Sequence, residues 1–146
     1  MKTITCDADR VGRYVAERLG VQGWSAPAGI GLERDGKLIG GVVYDYFNGA
    51  SICMHVASDG GNWLTREFLW FAFYYPFVQL GVKRITGLVP ESNLAARRFD
   101  EHLGFILEAR MKDAHPTGDV LVYRMLKSEC RYLERPNVQT RRACYA

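Results

Sequence analysis

His55 is the side chain of this 146-residue sequence best suited to move a proton at neutral pH. Histidine ordinarily titrates near ~6.5, so its imidazole can abstract a proton under physiological conditions. It lies in a strand-like run, residues 50–57, and the plain alternative is a hydrogen-bonded histidine on the solvent side of that strand. Glu91 is a second candidate base, or equally a loop or helix-start carboxylate favoured by the helix dipole. His102, between Glu101 and Leu103, reads as surface, and His115, before Pro116, as turn. The second chemistry is anion binding. Gly60 and Gly61 allow a backbone to approach a phosphate closely, and the helix expected after them offers unpaired N–H groups and a positive dipole end. Asp59 places a negative charge beside that loop, which Arg66 could offset; the plain alternative is a Gly-Gly turn capped by Asp59 or Asn62.

The elements that must position these residues follow from periodicity and turn signals. Residues 2–6 suit a short strand, and Asp7 or Asp9 can cap a helix that runs to Leu19 and stops at Gly20. Residues 21–29 read as loop. Residues 30–34 and 37–47 suit two strands joined at Asp35-Gly36, and a turn at Asn48-Gly49 leads to a third, 50–57. A meander of three antiparallel strands argues against a doubly wound parallel fold. Residues 63–80 then form an aromatic helical stretch that Pro76 should kink or end early. A strand at 82–89, a helix opened by Ser92 or Asn93 and closed at Gly104, and strands at 105–112 and 119–126 around a turn at 115–118 complete the order. The pattern alone gives an α+β fold with a mixed central sheet.

One stretch is more specific. Asn93, Ala96, Phe99, Leu103, Gly104 and Phe105 match, in order and spacing, the penultimate helix of the GNAT superfamily of acetyl-CoA-dependent N-acetyltransferases, which this chain resembles over roughly residues 28–127. Glu108 resembles the Gly-Phe-x-x-Glu variant of the branch that acetylates ribosomal-protein N-termini, and the chain is also similar to phage-encoded GNAT-like proteins. The resemblance implies a mixed, mostly antiparallel central sheet flanked by helices. It implies one GNAT-like domain over 1–127 and a C-terminal tail over 128–146, a short helix and then flexible chain. It also implies acetyl-CoA as co-substrate, an amine of a protein, peptide or small molecule as acceptor, and no metal.

By the same resemblance, the backbone around His55, Val56 and Ala57 would hold the pantetheine arm and thioester, with Asn93 on the opposite side. Gly60, Gly61, Asn62, Trp63, Leu64 and Thr65 would form the pyrophosphate loop. That loop departs from the family pattern: it has no leading Arg or Gln, it carries Asp59, and Trp63-Leu64 stand where small residues are usual. Many family members carry a tyrosine after the Phe99 equivalent, as acid for the leaving thiolate. Here that residue is Asp100, an ordinary carboxylate being ionised at neutral pH and a poor donor. The alternative function these departures favour is a catalytically degenerate GNAT-like domain serving as a binding or assembly module.

Composition sets the outer bounds. Hydrophobic residues make up 48% and charged residues 24%, as in ordinary globular proteins, and the length suits one core. No apolar run approaches the ~20 residues that span a bilayer, so no membrane association is expected. The N-terminal residues lack the apolar core of a secretory signal, and a cytoplasmic location is expected. A formal charge of +3 is too small and dispersed to argue for nucleic acid. Cys6, Cys53, Cys130 and Cys144 have no metal-ligand spacing; Cys6 and Cys53 read as buried, reduced thiols. A homodimer is open, since the last strand can pair between subunits or close its own sheet.

Overall fold

The computed structural model describes residues 1–24, 28–136 and 141–142. Its elements are β1 (Lys2–Thr5), α1 (Ala8–Leu19), β2 (Ala28–Arg34), β3 (Lys37–Asp45), β4 (Ser51–Ser58), α2 (Arg66–Tyr74), β5 (Arg84–Pro90), α3 (Leu94–Leu103), β6 (Ile106–His115), β7 (Gly118–Leu126) and β8 (Arg141–Arg142). The strands form one sheet in the order β6-β7-β5-β4-β3-β2-β1-β8. All neighbours are antiparallel except β4 with β5 and β1 with β8. The expected mixed, mostly antiparallel sheet with helices is therefore present.

Local chemistry sets the helix ends. The Asp7 side chain accepts from Arg10 N, and Gly20 closes α1 in the left-handed conformation. Asn93 caps α3 by accepting from Ala96 N, and Gly104 ends it at φ 106°. One face of the sheet is covered by α1, whose Val11, Tyr14 and Val15 pack with Leu38 and Val43. The other face carries the larger core, in which α2 supplies Phe68, Trp70, Phe71 and Phe73, and α3 supplies Leu103 with the half-buried Phe99.

The aromatic helix differs from expectation at both ends. It begins at Arg66, because Thr65 is the cap that accepts from Phe68 N. Pro76 does not end it; residues Tyr75–Gln79 widen into a π-helical turn, with Leu80 N donating to Tyr75 O. Proline removes the N–H that would have bonded Ala72 O, and the buried hydroxyl of Tyr44 on β3 donates to that carbonyl instead.

Past β7 the chain makes a 3₁₀ turn, Lys127–Glu129, and Tyr132 and Leu133 pack on the main core. Residues 137–140 and 143–146 lie outside the described residues, so the expectation of a flexible tail beyond the short helix falls largely there. Cys6 is exposed and disulfide-bonded, which corrects its reading as a buried, reduced thiol. Cys53 and Cys130 are free and half-buried. Among the described residues no helix is long and apolar enough to cross a membrane, and no cluster of three His, Cys, Asp or Glu side chains could hold a metal ion.

Candidate active site

β4 and β5 are paired for three residues, 51–53 against 84–86, and then separate. Past that point each strand turns an unpaired backbone edge toward the other, and buried backbone polar groups need partners. Met54 to Ser58 on β4 and Gly87 to Pro90 on β5 wall a wedge-shaped cavity of about 400 Å³. Asn93, Ala96, Phe99 and Asp100 of the α3 segment form a third wall, and Arg18 and Leu19 reach it from α1. Gly87 is what lets α3 come so close, because a Cβ there would stand 3.0 Å from Asp100 Oδ2.

His55 lines this cavity. Its Nε2 lies 2.7 Å from Oδ1 of Asp45, whose side chain is 9% exposed. A carboxylate can only accept, so the proton resides on Nε2 and the lone pair of Nδ1 is left to accept another. The Trp24 ring lies against the imidazole at 4.7 Å, and its Nε1 donates to Gly12 O of α1. The ring is thus held on one side by a carboxylate and on another by an indole.

The Asp100 carboxyl has no hydrogen-bond or ion-pair partner among the described residues, while its backbone carbonyl accepts from Phe105 N. Burial, with the neighbouring Glu101 charge, pushes its carboxyl up to about 7. Its reading as an ionised carboxylate is corrected: near neutrality about half of the population is protonated and can donate.

The glycine loop is organised differently from the sequence expectation. Asp59 is neutralised by Arg18, whose Nε donates at 2.7 Å, and not by Arg66. That bond holds the Asp59 carboxyl below its ordinary range. Arg18 also lies over the Tyr14 ring, 3.4 Å from its centroid, and burial raises the Tyr14 phenol to about 12. Gly60 and Gly61 both take positive φ, 86° and 71°. Ser58 Oγ accepts from Gly60 N, and Lys2 Nζ donates to the carbonyls of Asn62 and Trp63.

Of the residues singled out from the sequence, His55, Val56, Ala57, Trp63 and Asn93 line the wedge. Gly60, Gly61, Asn62, Leu64 and Thr65 do not. Trp63 is buried, stacked on Phe99 at 6.5 Å, and its indole lies where a Cβ on Gly40 would be, 2.2 Å away. Glu91 is turned from the wedge, its carboxylate 2.7 Å from Arg110 Nη1.

No protein-family model matches the sequence, and no curated protein sequence matches it either. Solved structures do. A mutant form of the spermidine N-acetyltransferase SpeG from Vibrio cholerae superposes with a TM-score of 0.71 at 19% identity, over 92% of this chain and 97% of that one. The fold is that of the GNAT acetyltransferases. A chimera of the Vibrio cholerae SpeG and hSSAT gives 0.62 at 24% identity, over 75% of this chain and 71% of that one. The ribosomal-protein-S5-alanine acetyltransferase from Vibrio fischeri gives 0.61 at 16% identity, over 72% of this chain. This chain spans 64% of the length of that last structure.

Three participants in this GNAT-fold cleft escaped the sequence reading: Asp45 behind His55, Trp24 against it, and Arg18 on Asp59. Each comes from a separate element, and a short motif does not register such pairings. Asp45 alone left a trace, as a carboxylate at the end of an otherwise apolar strand.

Proposed function

We propose that this protein is an acetyl-CoA-dependent N-acetyltransferase acting on a primary amine. The observation that carries the reading is His55, bonded to Asp45 behind it and lining the wedge where β4 and β5 part. The fold it shares with acetyltransferases of spermidine and of a ribosomal-protein alanine supports it. Both of those acceptors are amines, the class of group that His55 is built to deprotonate.

The residues present fit acetyl-CoA. The unpaired edge of β4 at Val56 and Ala57 can bond the amides of a pantetheine arm as an added strand would. Asn93 keeps its side-chain Nδ2 donors for the same arm while its Oδ1 caps α3. Gly61 and Asn62 leave their N–H groups without acceptors among the described residues, ahead of the α2 dipole, where a pyrophosphate is favoured.

His55 Nδ1 takes a proton from the acceptor ammonium, and Asp45 stabilises the imidazolium that results. The freed amine attacks the thioester carbonyl, forming the C–N bond as the C–S bond breaks; the new amide nitrogen then releases its second proton to solvent, and the His55 imidazolium returns its own there. Asp100 gives its proton to the departing thiolate and is reprotonated from solvent. Closeness and orientation supply much of the rate, because the thioester is already an activated acyl donor.

The test is acetylation of a panel of polyamines, peptides with free N-termini and small amines, followed by mass spectrometry of the acceptor and chromatography of the CoA released. Amine-dependent CoA release that His55→Ala slows at least a hundredfold, with acetyl-CoA binding intact, supports the reading. Failure of the wild-type protein to bind acetyl-CoA at millimolar concentration sinks it and leaves the binding-module alternative.

A further inference from the structure

A separate cavity of about 430 Å³ lies at the end of the sheet where the chain leaves β3 for β4. Tyr44, Tyr46, Phe47 and Tyr75 line it, and Asp45 is the one charged side chain among its described lining residues. The rest of that lining is aliphatic. Tyr44 and Tyr75 meet edge to face at 5.2 Å, and the Tyr44 hydroxyl donates to Ala72 O, so these two rings are fixed. The π-helical turn, closed by Leu80 N donating to Tyr75 O, sets both of its ends on this wall.

Two observations point to a ligand. The first is the charge on Asp45. Its side chain is 9% exposed, its Oδ1 accepts from His55 Nε2, and its Oδ2 has no partner among the described residues. A neutral imidazole satisfies a hydrogen bond but not a charge, and no lysine or arginine among the described residues pairs with this carboxylate. Buried charges are ordinarily paired. The second is Tyr46. A bulky residue at positive φ is an outlier, and Tyr46 takes 55° while 75% exposed. Phe47 beside it is 52% exposed. Burial in the core rewards neither ring.

A carboxylate among aromatic rings suits a weakly hydrated cation, which the negative faces of the rings attract. A primary ammonium carries three N–H donors and needs as many acceptors, whereas this lining is mostly ring and aliphatic carbon beside one free carboxylate oxygen. An alkylated ammonium needs no such acceptors. We propose that this cavity binds a quaternary ammonium group, with its alkyl substituents against Tyr46, Phe47 and Tyr75 and its charge met by Asp45. Such a nitrogen has no N–H to lose, so it is not the group that would be acetylated, and the site stands without the acetyl-CoA reading. Asp45 ties it to His55, because one carboxylate faces both the imidazole and the ligand.

The test titrates the protein with choline and with its uncharged carbon isostere, 3,3-dimethylbutan-1-ol, at matched ionic strength. Binding is read by calorimetry and by the imidazole signals of His55 in NMR spectra. The variants are Tyr46→Asn, which removes the ring and tolerates the left-handed backbone, and Phe47→Leu, which keeps apolar bulk without the π face. Both change exposed residues, and circular dichroism checks that each variant is folded. Choline is expected to bind at least about tenfold more tightly than the isostere, and either variant should remove most of that difference. The His55 signals should shift along the same saturation curve, since Asp45 lies between the ring and the ligand. Equal affinity for the two probes, or no binding of choline in the millimolar range, overturns the site. So does discrimination that survives in both variants, or a His55 signal that stays still while choline saturates.

Discussion

The Asp45 carboxylate lies 2.7 Å from Nε2 of His55, across a strand pair that sets both side chains on one face of the sheet. The bond fixes the tautomer that leaves Nδ1 as acceptor, so Asp45 is a positioning residue that acts through the imidazole. Asp45→Asn is expected to lower kcat tenfold or more with little change in the KM for acetyl-CoA. The double variant with His55→Ala should be no slower than His55→Ala alone, because residues acting as a unit are non-additive. Additive losses in kcat would show that Asp45 acts independently of the imidazole.

That pairing was hidden in the sequence by a single residue of register. A two-residue turn at Asn48-Gly49 would set Asp45 opposite Ile52, placing its side chain and that of His55 on opposite faces. The observed connection is longer. Asn48 Oδ1 accepts from both Ala50 N and Ser51 N, Tyr46 takes a positive φ of 55°, and Asp45 falls opposite Cys53. The succession of strands and helices along the chain, the α1 and α3 caps and the Asn93 helix were legible because they depend on residues close in sequence. The wedge itself was not, since it depends on where a parallel pair ends, and neither the β4 nor the β5 sequence marks that point.

Asp100 predicts a pH dependence of stability. Its folded-state pKa, about 7, lies above the ordinary carboxylate value, so the folded protein holds a proton that the unfolded chain has released. Stability contributed by this group is complete below the unfolded value near ~4 and is lost as pH rises through 7. The slope is at most about 1.4 kcal/mol per pH unit, less where water in the wedge screens the charge. Asp100→Asn should therefore raise Tm at pH 8 and leave it nearly unchanged at pH 4. The same variant should slow CoA release in the alkaline range less than in the neutral range, where the wild-type carboxyl still carries its proton. A Tm difference that is the same at both pH values would show that Asp100 is ionised throughout.

Gly40 carries a packing prediction. Its missing side chain leaves the space that the Trp63 indole occupies, and a Cβ would meet the ring at 2.2 Å. Gly40→Ala must displace a buried tryptophan that also touches Phe68 and Phe99. The expected loss is about 1–3 kcal/mol by urea unfolding, the usual range for overpacking. Trp63→Leu in the same background should recover part of it. An unchanged denaturation midpoint for Gly40→Ala would mean that Trp63 is readily displaced.

Tyr44 and Pro76 make the sharpest structural test. Ala72 O would ordinarily accept from the residue 76 N–H, which proline lacks, and the Tyr44 hydroxyl takes its place inside the core. Tyr44→Phe leaves that buried carbonyl without its donor, at an expected cost of about 1–3 kcal/mol. Pro76→Ala alone returns an N–H to the helix, and the hydroxyl then competes for one acceptor. The two changes should therefore compensate: Tyr44→Phe should cost less in the Pro76→Ala background than in the wild type, a coupling that a double-mutant cycle reads directly. Strict additivity of the two unfolding free energies would show that the hydroxyl and the missing N–H do not serve the same carbonyl.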